Sequence, residues 1–202
     1  KTILEHKANI KSEIVMLLGY MPEKIVEYFG DGTRHGLKIK YSITSIGDET
    51  GTRIKKVKNL LDQNFLLLYS DNYWPLNLEV LGKFYESHNA LVSVTVYTNK
   101  KGITKNNTLV DESGLVKLYD KSRTSANVNG VEIGFYIVNK KVLDLMPEEN
   151  FSFEAIILPR LIDIEQLSGF LTDQRHYSIT TPDKVPIVAK YLASLNEINV
   201  KN

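Results

Sequence analysis

Asn64-Phe65-Leu66-Leu67-Leu68-Tyr69-Ser70-Asp71-Asn72 is a short apolar run with no alternation that ends abruptly in an acid and an amide. A strand buried on both faces of a parallel sheet has this pattern, and open α/β sheets bind ligands beyond the carboxyl ends of such strands. Asp71 is therefore the first candidate site residue. A turn or a helix cap is its other reading.

Outward from this run, short apolar runs alternate with amphipathic helical patterns, as βα units on a mostly parallel sheet do. Upstream, Ile14 to Leu18 reads as a buried strand closed by Gly19. Pro22 with Glu23 opens a helix whose apolar face is Ile25, Val26 and Phe29, and Gly30 stops it. Leu37 to Ile43 alternates like a strand with one wet face, and Ile54 to Leu61 reads as a short basic helix leading into the central strand. Downstream, Leu76 to Glu86 has helical spacing and Leu91 to Tyr97 is β-branched and strand-like. Asn99 to Lys105 reads as a loop, and Val110 to Val116 as a hairpin turning at Ser113-Gly114. This hairpin begins a β-rich insertion. Val131 to Val138 is a further strand, Val142 to Met146 a short helix ended by Pro147, and Ser152-Phe153-Glu154 opens a helix through Leu161. Strands near Leu167 to Leu171 and His176 to Thr180 precede a last helix from Pro182-Asp183. The expected fold is α/β, a mostly parallel central sheet flanked by helices, Rossmann-like, with a small β-rich insertion, as one domain over residues 1–202.

Composition narrows the function classes. With 202 residues and 43% apolar content the chain can bury one substantial core. A net charge of +1 with interspersed signs offers no footprint for nucleic acid or an anionic membrane. No apolar stretch has the length of a membrane span and no leader precedes the first strand, so a soluble protein is expected, cytoplasmic by default. Zero cysteines exclude disulfides, thiolate metal sites and a cysteine nucleophile. His6, His35, His88 and His176 lack ligand spacing and are read as surface or supporting residues. No Gly-x-Ser-x-Gly elbow points to a serine hydrolase.

Several segments occur in a telling order: Gly19-Tyr20 with Ile25 to Tyr28, Phe29-Gly30-Asp31-Gly32-Thr33-Arg34-His35-Gly36, the strand into Ser70-Asp71-Asn72, Gly114 to Lys121, Gly134-Phe135-Tyr136-Ile137, Asn150 to Glu154 with Leu158-Pro159, and Thr181-Pro182-Asp183. Together they resemble the sugar-1-phosphate nucleotidylyltransferases, most of all the hexose- and heptose-1-phosphate guanylyltransferases, over nearly the whole chain. The resemblance implies an NTP, with GTP favoured, joined to a sugar 1-phosphate to give an NDP-sugar and pyrophosphate, in nucleotide-sugar and polysaccharide biosynthesis. It implies Mg²⁺, since phosphoryl transfer rests on positioning and on neutralising phosphate oxygens.

The same resemblance implies site residues. Asp71 matches a metal-binding aspartate, and Lys121 a lysine directed at the sugar phosphate, against a plain solvated lysine. Glu154 matches an acid accepting sugar hydroxyls, and as a first-turn residue it also suits the helix dipole. Glu132 stands where relatives carry a polar residue facing the sugar, or is an exposed strand acid. Gly134 admits a sugar ring or relieves crowding in the sheet. Gly19, Tyr20, Asn72 and the Gly51-Thr52 pair complete the substrate-binding set, Glu49-Thr50-Gly51-Thr52-Arg53 being an altered version of a base-proximal glycine-threonine loop. Trp74 either walls the site or lies in the core.

Two departures stand out. The family's opening strand and phosphate-cradling loop have no counterpart: the chain begins Lys1-Thr2-Ile3-Leu4-Glu5-His6, like the piece just after them, and the stretch between Leu4 and Ile14 is short. Such shortening is read as segments left out, not lost in evolution. Ser178 stands where a second metal carboxylate is expected, and a hydroxyl is a weak Mg²⁺ ligand. These departures keep open a degenerate, non-catalytic relative that binds a nucleotide or sugar in regulation or assembly. A sugar transferase using an NDP-sugar is weaker, because Asp71-Asn72-Tyr73 lacks the second acid of an Asp-x-Asp motif. An assembly of identical copies is left open.

Overall fold

The computed structural model describes residues 13–200. In chain order these form β1 (Glu13–Leu18), α1 (Pro22–Phe29), β2 (Lys38–Ile43), α2 (Thr50–Lys56), β3 (Asn64–Leu68), β4 (Asn72–Tyr73), α3 (Leu78–His88), β5 (Val92–Tyr97), β6 (Thr108–Val110) and β7 (Val116–Tyr119). There follow β8 (Val131–Asn139), α4 (Leu158–Asp163), β9 (Leu167–Thr172), β10 (Tyr177–Ser178) and α5 (Lys184–Val200). Lys1 to His6, which carried the expectation about the chain's start, lie outside the described residues.

The centre is a four-stranded sheet in the order β3-β8-β5-β9, with β1 paired parallel to β2 beside it. Strands β3, β5 and β9 point the same way. Only β8 opposes them, bonded antiparallel to β3 and β5, while β5 pairs parallel with β9. Strand β5 is buried at every position, as expected of a β-branched run with sheet on both sides.

Each face of this sheet carries its own core. Val92, Val94, Tyr136 and Val138 pack with Phe153, Ile157, Leu158 and Leu161 on one face. On the other, Ile133 and Phe135 pack with Trp74, Leu76 and Leu81. Trp74 is 2% exposed and lies edge-on to Phe135 and Phe170, so it belongs to the core, not the wall of a site.

Several elements depart from expectation for identifiable reasons. Strand β3 pairs, among the described residues, only with β8, so it is an edge of the described sheet, yet both its faces are covered: Phe65 and Leu67 pack on one core and Leu66 and Leu68 on the other, each half-buried. Helix α2 begins at Thr50, not Ile54, because the segment after Asn150 caps it: the Asn150 side chain accepts from the Glu49 N–H at 2.8 Å. The helix expected from Ser152 opens as a π turn over Phe153–Ile157 before α4. Pro159 has no N–H to return to the Ala155 carbonyl, which favours a locally widened turn. Lys140–Leu145 is 3₁₀ rather than α. The hairpin turn at Ser113-Gly114 forms, with the Asp111 carboxylate accepting from the N–H groups of Ser113 and Leu115.

Candidate active site

At the carboxyl end of β3 the sheet opens. The β5–β8 ladder runs regularly to Tyr136↔Val94 and resumes at Glu132↔Val96, so three residues of β8 oppose one of β5. Such a bulge bends the strand and re-aims its side chains. Gly134 lies inside it with φ +77°, and its carbonyl accepts from the Tyr69 N–H at 3.1 Å. A Cβ there would stand 2.7 Å from the Asn72 amide and 3.0 Å from the Tyr69 ring, so both conformation and space require glycine.

The bulge aims Glu132 inward, where it accepts from the Gly134 N–H. Burial pushes its carboxyl up to about 7, and the Glu154 charge adds to this; the Tyr136 hydroxyl, the Gly134 N–H and the Arg123 charge act in the opposite sense. Glu154 is at the start of the π turn. It accepts from Thr50 Oγ1 at 3.0 Å and Ser152 Oγ at 2.8 Å. Burial pushes its carboxyl up as well, but Tyr69, its own N–H, Ser152 and Thr50 outweigh burial and hold it below the ordinary value. Two carboxyls on neighbouring elements thus have opposite protonation tendencies.

Beside these acids lie the Tyr69 and Tyr136 hydroxyls, edge-on at 6.0 Å between rings. Both are buried near enough to the carboxylates to favour the charged acids, yet neither makes a hydrogen bond of good geometry. Buried polar groups are normally paired, and the acids are the groups these hydroxyls face, Tyr69 towards Glu154 and Tyr136 towards Glu132. No sequence pattern marked these tyrosines as more than apolar residues of strands.

A cavity of about 420 Å³ reaches from Glu154 and Pro159 to Tyr119, Asp120 and Lys121. Lys121 is exposed at its rim. Asp120 turns inward on its own loop, accepting from the N–H groups of Ser122, Thr124 and Ser125.

Asp71 lies between β3 and β4, exposed, with Asn72 half-buried next to it. Strand β10 places Ser178 opposite Asn72, and the Ile179 N–H donates to the Asp71 carbonyl at 2.8 Å. Among the described residues no group of three or more acids or histidines is arranged to hold a metal. One carboxylate with an amide and a hydroxyl nearby suits a magnesium ion that keeps waters and phosphate oxygens, and does not suit a closed protein cage.

Gly51 and Thr52 are bonded to the segment after Asn150. Both N–H groups donate to the Phe151 carbonyl, at 3.1 and 3.3 Å, and Thr52 Oγ1 accepts from the Phe151 N–H. Gly19 and Tyr20 follow β1, Tyr20 being 73% exposed. The structure therefore brings together Asn72, Gly134, Glu132 and Glu154 and puts Lys121 on the adjoining cavity. Of the histidines, His35 stacks on Tyr28, His88 on Phe84, and His176 is half-buried against Tyr97, its pKa lowered to about 4 by burial and the charges of Arg123 and Arg175.

The chain is 30% identical over 193 residues to the probable glucose-1-phosphate cytidylyltransferase of Bacillus subtilis (strain 168), covering 84% of this chain and 72% of that protein. The chain belongs to the sugar-1-phosphate nucleotidylyltransferase family. It is also 31% identical over 154 residues to the D-glycero-alpha-D-manno-heptose 1-phosphate guanylyltransferase of Campylobacter jejuni, covering 75% of this chain and 66% of that one. It spans about half the length of other curated members such as the mannose-1-phosphate guanyltransferase of Yarrowia lipolytica. No family model matches. Among solved structures it is similar in fold to HddC from Yersinia pseudotuberculosis, with a TM-score of 0.75 at 19% identity over 94% of this chain and 82% of that one. The same protein complexed with GMP-PN gives 0.71 at 21% identity, over 90% and 78%. For this nucleotidylyltransferase family member, the α/β fold with its mostly parallel sheet agrees with these neighbours.

Proposed function

We propose that this chain carries the sugar-phosphate half and part of the nucleotide half of a sugar-1-phosphate nucleotidylyltransferase site. A phosphate oxygen of the sugar 1-phosphate attacks the α-phosphorus of an NTP, the bond to the β-phosphate oxygen breaks, and pyrophosphate leaves. The observation that carries this reading is the pair Glu132 and Glu154, each facing a buried tyrosine hydroxyl, at the sheet end that also bears Asp71.

In this reading Glu154, ionised, accepts from sugar hydroxyls, and Glu132, proton-bearing near neutrality, both donates and accepts. Lys121 supplies a point charge to the sugar phosphate. Asp71 would hold a divalent cation, magnesium by the oxygen-only donor set, which when bound neutralises triphosphate oxygens. GTP is the favoured donor by resemblance to guanylyltransferases, and the cytidylyltransferase relative makes CTP the comparison. The reading is tested by incubating the protein with each NTP and a panel of hexose and heptose 1-phosphates. Pyrophosphate formed only when both substrates are present supports it; none from any pair would leave a binding protein without turnover.

A further inference from the structure

Arg53 stands in the segment that resembles the base-proximal loop, where an arginine invites the role of a phosphate ligand. Its geometry excludes that role. The guanidinium has five N–H donors, and all five are taken: Nε by the Asp48 carbonyl at 2.9 Å, Nη1 by the Leu18 carbonyl at 2.7 Å and Thr44 Oγ1 at 2.8 Å, and Nη2 by the carbonyls of Ser45 at 2.8 Å and Ile46 at 3.5 Å. These acceptors lie on the last residue of β1 and on the loop between β2 and α2. Gly19 makes room for the group, since a Cβ there would stand 2.6 Å from Nη1 and 2.7 Å from Cζ.

We propose that Arg53 is a positioning residue for the nucleoside side of the site: it ties the carboxyl ends of β1 and β2 to the first turn of α2 and binds no phosphate itself. The loops it holds present Tyr20, 73% exposed, and Ile46, 68% exposed. An aromatic and an aliphatic side chain on a rigid rim suit the face of a nucleobase better than an anion. The inference rests on the nucleotide-binding reading above.

The test is calorimetric binding of guanosine, cytidine, GTP, CTP and glucose 1-phosphate to the wild-type protein, Arg53→Met, Gly19→Ala and the double variant. Both single changes are expected to weaken the nucleoside and its triphosphate by the same factor, roughly tenfold, with glucose 1-phosphate unaffected. The double variant should bind no more weakly than Arg53→Met alone, because the alanine acts only by displacing the guanidinium. A loss confined to the triphosphates, or additive losses, would overturn the inference and leave the nucleotide reading intact. Wild-type protein that binds neither nucleosides nor triphosphates would overturn both. Should Arg53→Met not fold, Gly19→Ala carries the comparison, as it moves the guanidinium without removing its charge.

Discussion

Glu132 has a carboxyl pushed up to about 7 by burial, against an ordinary value of 4.5. Between those pH values the folded chain keeps a proton that the unfolded chain has released, so stability falls as pH rises from about 4.5 through 7. The full loss is ~3 kcal/mol. Glu132→Gln should remove this slope, seen as a smaller difference in urea midpoint between pH 5 and pH 8 than in the wild type. At Gly134, alanine meets both the positive φ and the crowding by Asn72 and Tyr69. Gly134→Ala should cost about 1–3 kcal/mol and lower the melting temperature. At this scale the sequence was informative where a residue type is unusual in its place, as with the acid Glu132 and the glycine Gly134 inside an apolar strand. It was silent on Tyr69 and Thr50, whose roles arise from neighbours more than sixty residues away in β8 or after Asn150, and on Tyr136, whose inward aim depends on the bulge between it and Glu132.

Between elements, the decisive feature is the clasp of α2 on the segment after Asn150. Thr50, Gly51 and Thr52 bond Glu154, Phe153 and Phe151, and Asn150 bridges the Glu49 N–H and the Gly47 carbonyl, each at 2.8 Å. Asn150→Ala should cost about 1–2 kcal/mol in chemical denaturation and raise hydrogen exchange at Glu49. Thr50→Val removes a donor from Glu154, so the Glu154 carboxyl should titrate higher, read by NMR of its side-chain carbon. Periodicity located most strands and helices to within a few residues because burial enforces it. It missed the start of α2, since Gly51 and Thr52 are poor helix formers locally and are held by long-range bonds. It also missed the π turn, which depends on Pro159, and the edge position of β3, which depends on pairing.

For the whole molecule, a sheet with one reversed strand places a bulge, two acids and Asp71 at its carboxyl end, where α/β sheets take ligands. Family membership gives this arrangement its chemical reading. The most direct measurement is pyrophosphate release with Mg²⁺, an NTP and a sugar 1-phosphate, by wild type and Asp71→Asn in parallel. The prediction is turnover by the wild type that falls at least about a hundredfold in the variant, with the melting temperature within a degree or so because Asp71 is exposed. Equal turnover by both proteins would contradict the site described around Asp71, and none by either would contradict the nucleotidylyltransferase reading itself.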